Sequence, residues 1–506
     1  HTRCSRDWSS DVCSSDLLCL LVLTPLAVYW PTIFHTYGLR DDYSYLREAR
    51  EEPGKVLRFT SSHGRPIYGL LLERSFALVD RVSRLPWLRL VSVVLLTLLA
   101  LALAKVLVGA GWTLFEATAI GLGVVLLPAA QIASSWAIGW PYALALLLAL
   151  GGFWLVERSQ EFSGSPRWLR HLAGGLAYVV VGMIYQSNAL FAVVPLAAAL
   201  LLRPNRSARE TLGWTTRHLV TVLVGLALSL VLAKVLFSGG SVPPTHRMRL
   251  EDDPGSKMIW FLTQPLPNAA ALFVLRDTFG VGAQVFWSVV ALVGLVALTS
   301  VVRVARAMTT AARWAWLLCL AVLPFFAHAV SLAAFERAMG YRVLFALSGL
   351  MLVALVFGVR TLRLSGWFGP KVATAALGGL IAAGAITARS NSFELIAVPQ
   401  GYEWELVRSS AARLNVHAGA KVYAITPTLA DRSTERVYAD EFGSLSSDSD
   451  WVPKEMFKAA LHERFPEKAA QDFRYSFASG RKEPDRSAQD MVVDLRELRR
   501  WRLPTR

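Results

Sequence analysis

Charge is scarce in this chain: 18% of its 506 residues are Asp, Glu, Lys or Arg, whereas 54% are hydrophobic. A water-soluble domain carries about 25% charged residues, so a soluble enzyme is excluded for the bulk of the chain. Cysteine is scarcer, four residues in all. Cys4 and Cys13 lie near the start, and Cys19 and Cys319 sit in apolar segments as lipid- or core-facing thiols. No disulfide framework and no zinc-ligand spacing can be built from them. No internal repeat or low-complexity segment stands out, so a repeat architecture has no support. What the chain does have is a positive mean hydropathy and many apolar runs of about 18 or more residues, the signature of a polytopic α-helical membrane protein. Its net charge of +15 sets topology in such a chain and implies no nucleic-acid partner.

Residues 7–17 read Asp-Trp-Ser-Ser-Asp-Val-Cys-Ser-Ser-Asp-Leu, which resembles an in-frame translation of a short-read sequencing adapter. Residues 1–16 are therefore expected to be non-native, with the natural chain starting near Leu17 or its true start lost. From there about eleven transmembrane helices are predicted, over 17–34, 88–109, 114–131, 137–156, 171–186, 188–203, 217–237, 281–302, 314–333, 342–360 and 371–388. The fifth and sixth are short and separated by Tyr185-Gln-Ser-Asn188, as in a pair that crosses incompletely or crosses a thinned region. Four loops on one side carry arginine clusters: Arg158, Arg167 and Arg170; Arg203, Arg206, Arg209 and Arg217; Arg303, Arg306 and Arg313; Arg360 and Arg363 with Lys371. By the positive-inside rule that side is cytoplasmic. The long loops 35–87 and 238–280 and everything after 388 then face outward.

The segment 389–506 differs in kind. It holds 19 basic and 18 acidic residues, and two β-like runs, Lys421–Thr426 and Met491–Leu495, flank a helix-like stretch from Pro453 to Phe465. A small extracytoplasmic α/β domain is expected there, after a transmembrane domain spanning 17–388.

The strongest chemical pointer is the pair Asp41-Asp42, just after the first apolar run. Two carboxylates near a membrane surface are costly if buried unpaired, so they persist where they take a proton or hold a cation. Helix capping is the bland alternative, but one carboxylate suffices for a cap. An amphipathic stretch from Ile67 to Asp80 reads as an interfacial helix that would hold His63 and Arg65 near the pair. The other outward loops offer Tyr185, Gln186, Lys257, Arg337 and Arg342. Each has a structural alternative: aromatic anchoring, snorkelling arginines, and a solvated acid cluster Glu251-Asp-Asp253 followed by a turn at Pro254-Gly255. Lys105, Glu116 and Lys234 lie close enough to span ends to snorkel.

The stretches Asp41-Asp42-Tyr-Ser-Tyr45, Gly64-Arg-Pro-Ile-Tyr68, Tyr185-Gln-Ser187, Lys257-Met-Ile-Trp-Phe261, Tyr341-Arg-Val343 and Asp440-Glu-Phe-Gly443 occur in an order that resembles GT-C-type polytopic glycosyltransferases. The likeness is to the serotype-converting O-antigen glucosyltransferase group. It implies transfer of a hexose such as glucose from a polyprenyl-phosphate-sugar donor to a surface glycan, such as lipopolysaccharide, or a lipid, at the outer face of a bacterial inner membrane. Asp41 or Asp42 would be the base for the acceptor hydroxyl. Arginine would hold the leaving phosphate, Arg342 first, then Arg65 and Arg337, with Lys257 as a point charge and His63, Gln186 and Tyr185 lining the site. The paired acids could instead bind a divalent cation, Mg or Mn, and metal dependence stays open. Competing readings are a transporter or lipid flippase, an O-antigen ligase or polymerase, and a structural membrane protein. The first lacks midplane charges and half-to-half similarity. The second would rely on a large late outer loop, and the third leaves the aspartates without a role.

Overall fold

The computed structural model describes residues 14–159, 167–237, 249–276, 282–338, 340–367, 369–415, 419–427, 438, 441–469 and 473–496. Residues 1–13 of the adapter-like start and Asp440 fall outside them, whereas residues 14–17 open the first helix. Helix α1 (Ser14–Ile33) leads into a short turn and then α2 (Asp41–Glu51), α3 (Lys55–Ser61) and α4 (Pro66–Val79), which build the first long loop. The chain then enters α5 (Pro86–Gly109), α6 (Leu114–Leu126), α7 (Pro128–Ser135) and α8 (Trp140–Arg158). Proline stands in the first turn of α4, α5, α7 and α8, where its missing N–H is not needed and its fixed φ suits the helix. Helix α6 starts with a capping box in which Thr113 and Glu116 bond each other's backbone.

Among the described residues, eight helices are long and apolar enough to cross a membrane, or nine when α6 and α7, bent 54° at their junction, count as one span. The chain is thus a multi-pass helical membrane protein. The bend falls in the expected span 114–131, where Pro128 interrupts the helix. The expected fifth and sixth spans form one helical run from Arg167 to Leu201, α9 (Arg167–Ala189) and α10 (Val193–Leu201), broken at Tyr185 by an extended backbone (φ −156°, ψ 106°). As one straight rod its 35 residues would measure about 52 Å. Instead Arg203, just past its end, reaches Glu157 at the end of α8 at 2.8 Å. Arg170, near the run's start, donates to the Arg158 carbonyl. Both ends of the run therefore lie together, and the two legs form a hairpin with its tip at Tyr185–Asn188.

The chain continues through α11 (Ala208–Phe237), α12 (Pro254–Thr263), α13 (Pro265–Ala270), α14 (Ala283–Arg306), α15 (Thr310–Phe326), α16 (Ala329–Ala333), α17 (Phe345–Leu364) and α18 (Pro370–Ser392). The expected ninth span falls on α15, a shorter apolar helix. Glu251-Asp-Asp253 does not precede a plain turn: Asp253 Oδ1 accepts from Ser256 N at 3.0 Å and caps α12, so Pro254 and Gly255 open a helix. Nor does Glu116 snorkel. It is buried and paired with Arg360 at 2.6 Å and Arg363 at 3.6 Å. Those arginines, with Glu157, Arg203, Trp214 and His218, mark a basic end of the bundle.

Helix α18 passes through a π-turn at Phe393–Ala397 into α19 (Val398–Arg413). Beyond it lie β1 (Ala420–Ile425), α20 (Val452–Arg464), β2 (Tyr475–Gly480) and β3 (Met491–Asp494). The strands form a parallel sheet in the order β2-β1-β3, with α20 as the crossover that parallel pairing of β1 and β2 requires. Both expected strands and the helix are present, and β2 is a third strand that sequence reading missed. This unit packs onto the first loop. Trp404 stacks on Tyr43 with ring centroids 5.7 Å apart, and Glu455 accepts from Arg47 Nε at 2.7 Å. Helix α2 is thus clasped between α4 and α20.

Candidate functional site

The first loop is set by a residue the sequence did not flag. Arg89, fully buried in the first turns of α5, donates to the carbonyls of Ile33, His35 and Tyr37 and lies 4.0 Å from the Tyr37 ring centre. One guanidinium thereby satisfies the carbonyls where α1 ends, which no helical N–H reaches. The turn continues to Arg40, whose backbone is left-handed (φ 43°, ψ −101°). That is a strained conformation for a residue with a side chain.

Asp41 and Asp42 are the first two residues of α2, where negative charge suits the helix dipole. Successive helical side chains diverge by about 100°, and the two carboxyls have different surroundings. Asp42 is wholly buried. Its Oδ2 accepts from Leu39 N at 2.9 Å, and Oδ1 has no hydrogen-bond partner among the described residues. Burial pushes its pKa up to about 7, against the pull of the Leu39 N–H and of Arg89 and with a further push from Asp41. Asp41 is partly exposed, and its charge acts on Tyr45 and Tyr68. Among the described residues no group of three His, Cys, Asp or Glu side chains could hold a metal ion.

Around Asp41 the structure gathers several of the expected residues. Arg65, preceding α4, donates from Nε to Gln186 Oε1 at 3.0 Å, with its guanidinium carbon 4.3 Å from the Tyr185 ring centre. Gln186 in turn donates to the carbonyls of Gly64 at 3.0 Å and His63 at 3.3 Å. The hairpin tip thus reads the backbone of the first loop. Tyr142 lies 4.4 Å, centre to centre, from Tyr185, and its hydroxyl meets that of Tyr68 at 2.9 Å. Arg342 stands over Trp136 at 5.3 Å and faces Glu441 at 3.5 Å.

The remaining expected residues go elsewhere. The His63 imidazole packs on Phe59 with Nδ1 2.9 Å from the Phe59 carbonyl, and its backbone carbonyl joins the cluster through Gln186. Lys257 is buried on α12, bonds the carbonyls of Ala334 at 2.6 Å and Glu336 at 3.1 Å and pairs with Glu251 at 3.4 Å. Burial holds its amine below the usual lysine range. Exposed Arg337 donates to Ser256 Oγ at 2.5 Å. These two tie α12 to the 334–337 loop. The expected interfacial helix is α4, which leaves Leu70 and Leu78 exposed while Glu73 accepts from the N–H groups of Gly54 and Leu57. Gly69 lets α4 meet α3: a methyl there would land on Thr60 Oγ1 and 2.9 Å from Leu57 Cα.

No family model matches the chain, and no curated protein sequence matches it. Among solved structures, the chain is similar to the Archaeoglobus fulgidus oligosaccharyltransferase. The form tethered with an acceptor peptide gives a TM-score of 0.44 at 12% identity, over 94% of this chain and 64% of that one. The apo form gives 0.44 at 10%, over 94% and 65%. The archaeal oligosaccharyltransferase AglB with an inhibitory peptide and a dolichol-phosphate gives 0.41 at 11%, over 81% and 59%. This chain thus spans about three-fifths of the length of that protein. A likeness this loose transfers no residue role.

Proposed function

We propose that the chain is a GT-C-type membrane glycosyltransferase that moves a sugar, a hexose such as glucose, from a polyprenyl-phosphate-linked donor to a surface glycan or lipid. One observation carries this reading: a partly exposed aspartate opens α2 beside a cluster of tyrosines, Arg65 and Gln186, at the end of the bundle opposite the basic end. By the positive-inside rule the site faces away from the cytoplasm of a bacterial inner membrane, and the C-terminal unit lies on the same outer side. A phosphate leaving group needs cations rather than a general acid, and Arg342 and Arg65 supply them.

In the step proposed, Asp41 takes the proton of the acceptor hydroxyl. The acceptor oxygen forms its bond to the anomeric carbon as the bond from that carbon to the phosphate oxygen breaks, and the electron pair leaves on the lipid phosphate. Asp42, buried against the turn, positions α2. The test is transfer of radiolabelled hexose from a polyprenyl-phosphate donor by the protein in vesicles. Asp41→Asn is expected to lower the rate at least a hundredfold, the low end of a general base's contribution of about 10²–10⁴. Full transfer by the Asp41→Asn, Asp42→Asn double variant sinks the base assignment. A wild-type protein inert toward every polyprenyl-phosphate hexose sinks the reading itself.

A further inference from the structure

Resting on that reading, we infer that Arg40 and Arg342 together form the holder of the donor's phosphate, spaced by Glu441 of the C-terminal unit. Arg40 Nη1 lies 3.1 Å from Glu441 Oε2 and 3.2 Å from Oε1, and Arg342 Nη1 lies 3.5 Å from Oε1. Two guanidinium groups thus converge on one carboxylate. The carboxylate is closed off, its side chain 2% exposed, whereas the arginines are 27% and 28% exposed. An approaching anion therefore meets the arginines, with Glu441 behind them.

The donor inventory points the same way. Arg40 Nε is buried and has no hydrogen-bond partner among the described residues, although a buried N–H without an acceptor is expensive. A phosphate oxygen supplies that acceptor, and guanidinium is the side chain suited to phosphate. The backbone holds Arg40 ready for it. The left-handed φ of 43° is kept in place by the Arg40 N–H donating to Ser446 Oγ at 2.9 Å. Ser446 is itself fixed, donating from Oγ to Gln400 Oε1 at 2.6 Å and from N to Glu403 Oε2 at 2.9 Å. Strain maintained by buried bonds marks a position held for use.

The test uses the full-length protein in detergent, with polyprenyl phosphate lacking sugar as the probe and native mass spectrometry as the readout. Arg40→Gln and Arg342→Gln are each expected to weaken binding roughly tenfold, as loss of one charge-assisted contact does, and to raise the donor KM with little change in kcat. Arg40→Gly relieves the backbone strain and is expected to weaken binding equally while the fold is retained. Arg408→Gln, at an exposed arginine paired with Glu405, is expected to bind as wild type. Excess phosphatidylglycerol is expected not to displace the probe. Wild-type binding retained by both Arg40 variants overturns the arginine pair alone. Displacement by phosphatidylglycerol overturns it too, making this a general headgroup site. A wild-type protein that binds no polyprenyl phosphate and transfers no hexose removes the function and the pair together.

Discussion

The buried Asp42 should make this protein less stable as pH rises from 4 to 7, and Asp42→Asn should remove that dependence. The carboxyl has an ordinary value of 3.8 when unfolded and is pushed up to about 7 in the fold, chiefly by burial. Its folded pKa is raised, so between these values the folded state holds more of this proton than the unfolded state does. Stability is then fully present below the unfolded value and falls as pH rises, by at most about 1.4 kcal/mol per pH unit. Over the whole interval the loss is about 4 kcal/mol, and from pH 5 to pH 8 about 3 kcal/mol. Asparagine does not titrate. Its amide can keep the bond from Leu39 N, while its NH₂ faces the position of Oδ1, which has no partner. The difference this makes does not vary with pH, because neither group it replaces or leaves gains a titrating partner. The diagnostic quantity is therefore the slope of the difference between the two proteins.

Unfolding of wild type and Asp42→Asn should be followed side by side in the same detergent from pH 4.5 to 8.5. Other titrating groups cancel in the comparison. Wild type should be the more stable at the acid end, or nearly equal, and should lose about 3 kcal/mol relative to the variant by pH 8. Parallel pH profiles would refute the reasoning. They would mean that Asp42 stays ionised through this range, with Arg89 and the Leu39 N–H outweighing burial.

Three further outcomes follow from the contacts. Gln186→Ala removes the acceptor for Arg65 Nε and the donor to the Gly64 and His63 carbonyls. It should loosen the first loop by about 1–3 kcal/mol, seen as faster proteolysis between residues 54 and 65, and an unchanged cleavage rate would count against it. Lys257→Met should leave donor KM within twofold while the 334–337 loop becomes labile to protease, since the amine serves loop carbonyls; a large rise in donor KM would return Lys257 to the site. Cysteines introduced at Ser62 and Ser449 should react with a membrane-impermeant reagent from one side and a cysteine at Ser207 from the other, because Arg40 reaches Glu441 while Arg203 ends at the basic pole. Labelling of Ser449 with Ser207 would overturn this arrangement.

The sequence revealed features whose signal is local. The Asp pair, the hairpin tip at 185–188 and the two apolar strands of the C-terminal unit stand out against their neighbours. Arg65, Gln186 and Tyr185 were legible because polar residues interrupt apolar runs there. Residues whose meaning comes from distant partners were not legible. Arg89 reads as a charge at the start of a span, yet it binds three carbonyls more than fifty positions earlier. Glu441 lies 401 positions from Arg40. The left-handed backbone of Arg40 has no local marker, since glycine or asparagine is the usual occupant. β2 reads Tyr-Ser-Phe-Ala-Ser-Gly, too polar and too rich in small residues to announce a strand, and it is completed by pairing with β1 along its whole length. The partners of Lys257 and Arg337 were not legible either: a basic residue in an outer loop gives no sign of the carbonyls or the serine it reaches.

The break at Tyr185 explains how a membrane bundle can build a polar site at all. Hydrocarbon tolerates no unsatisfied backbone, so irregular chain at membrane depth persists only where protein supplies its partners. Here the supply is mutual. The hairpin tip interrupts the helix, and its side chains satisfy the first loop: Gln186 takes the carbonyls of residues 63 and 64, and Asn188 donates to the Tyr142 carbonyl at 3.0 Å. Tyr185 in turn gains the face of Arg65. Gln186 thereby anchors the start of α4, the helix against which α2 and its aspartates pack. The extended backbone at Tyr185 is therefore part of the site, as much as the carboxylates it helps to place.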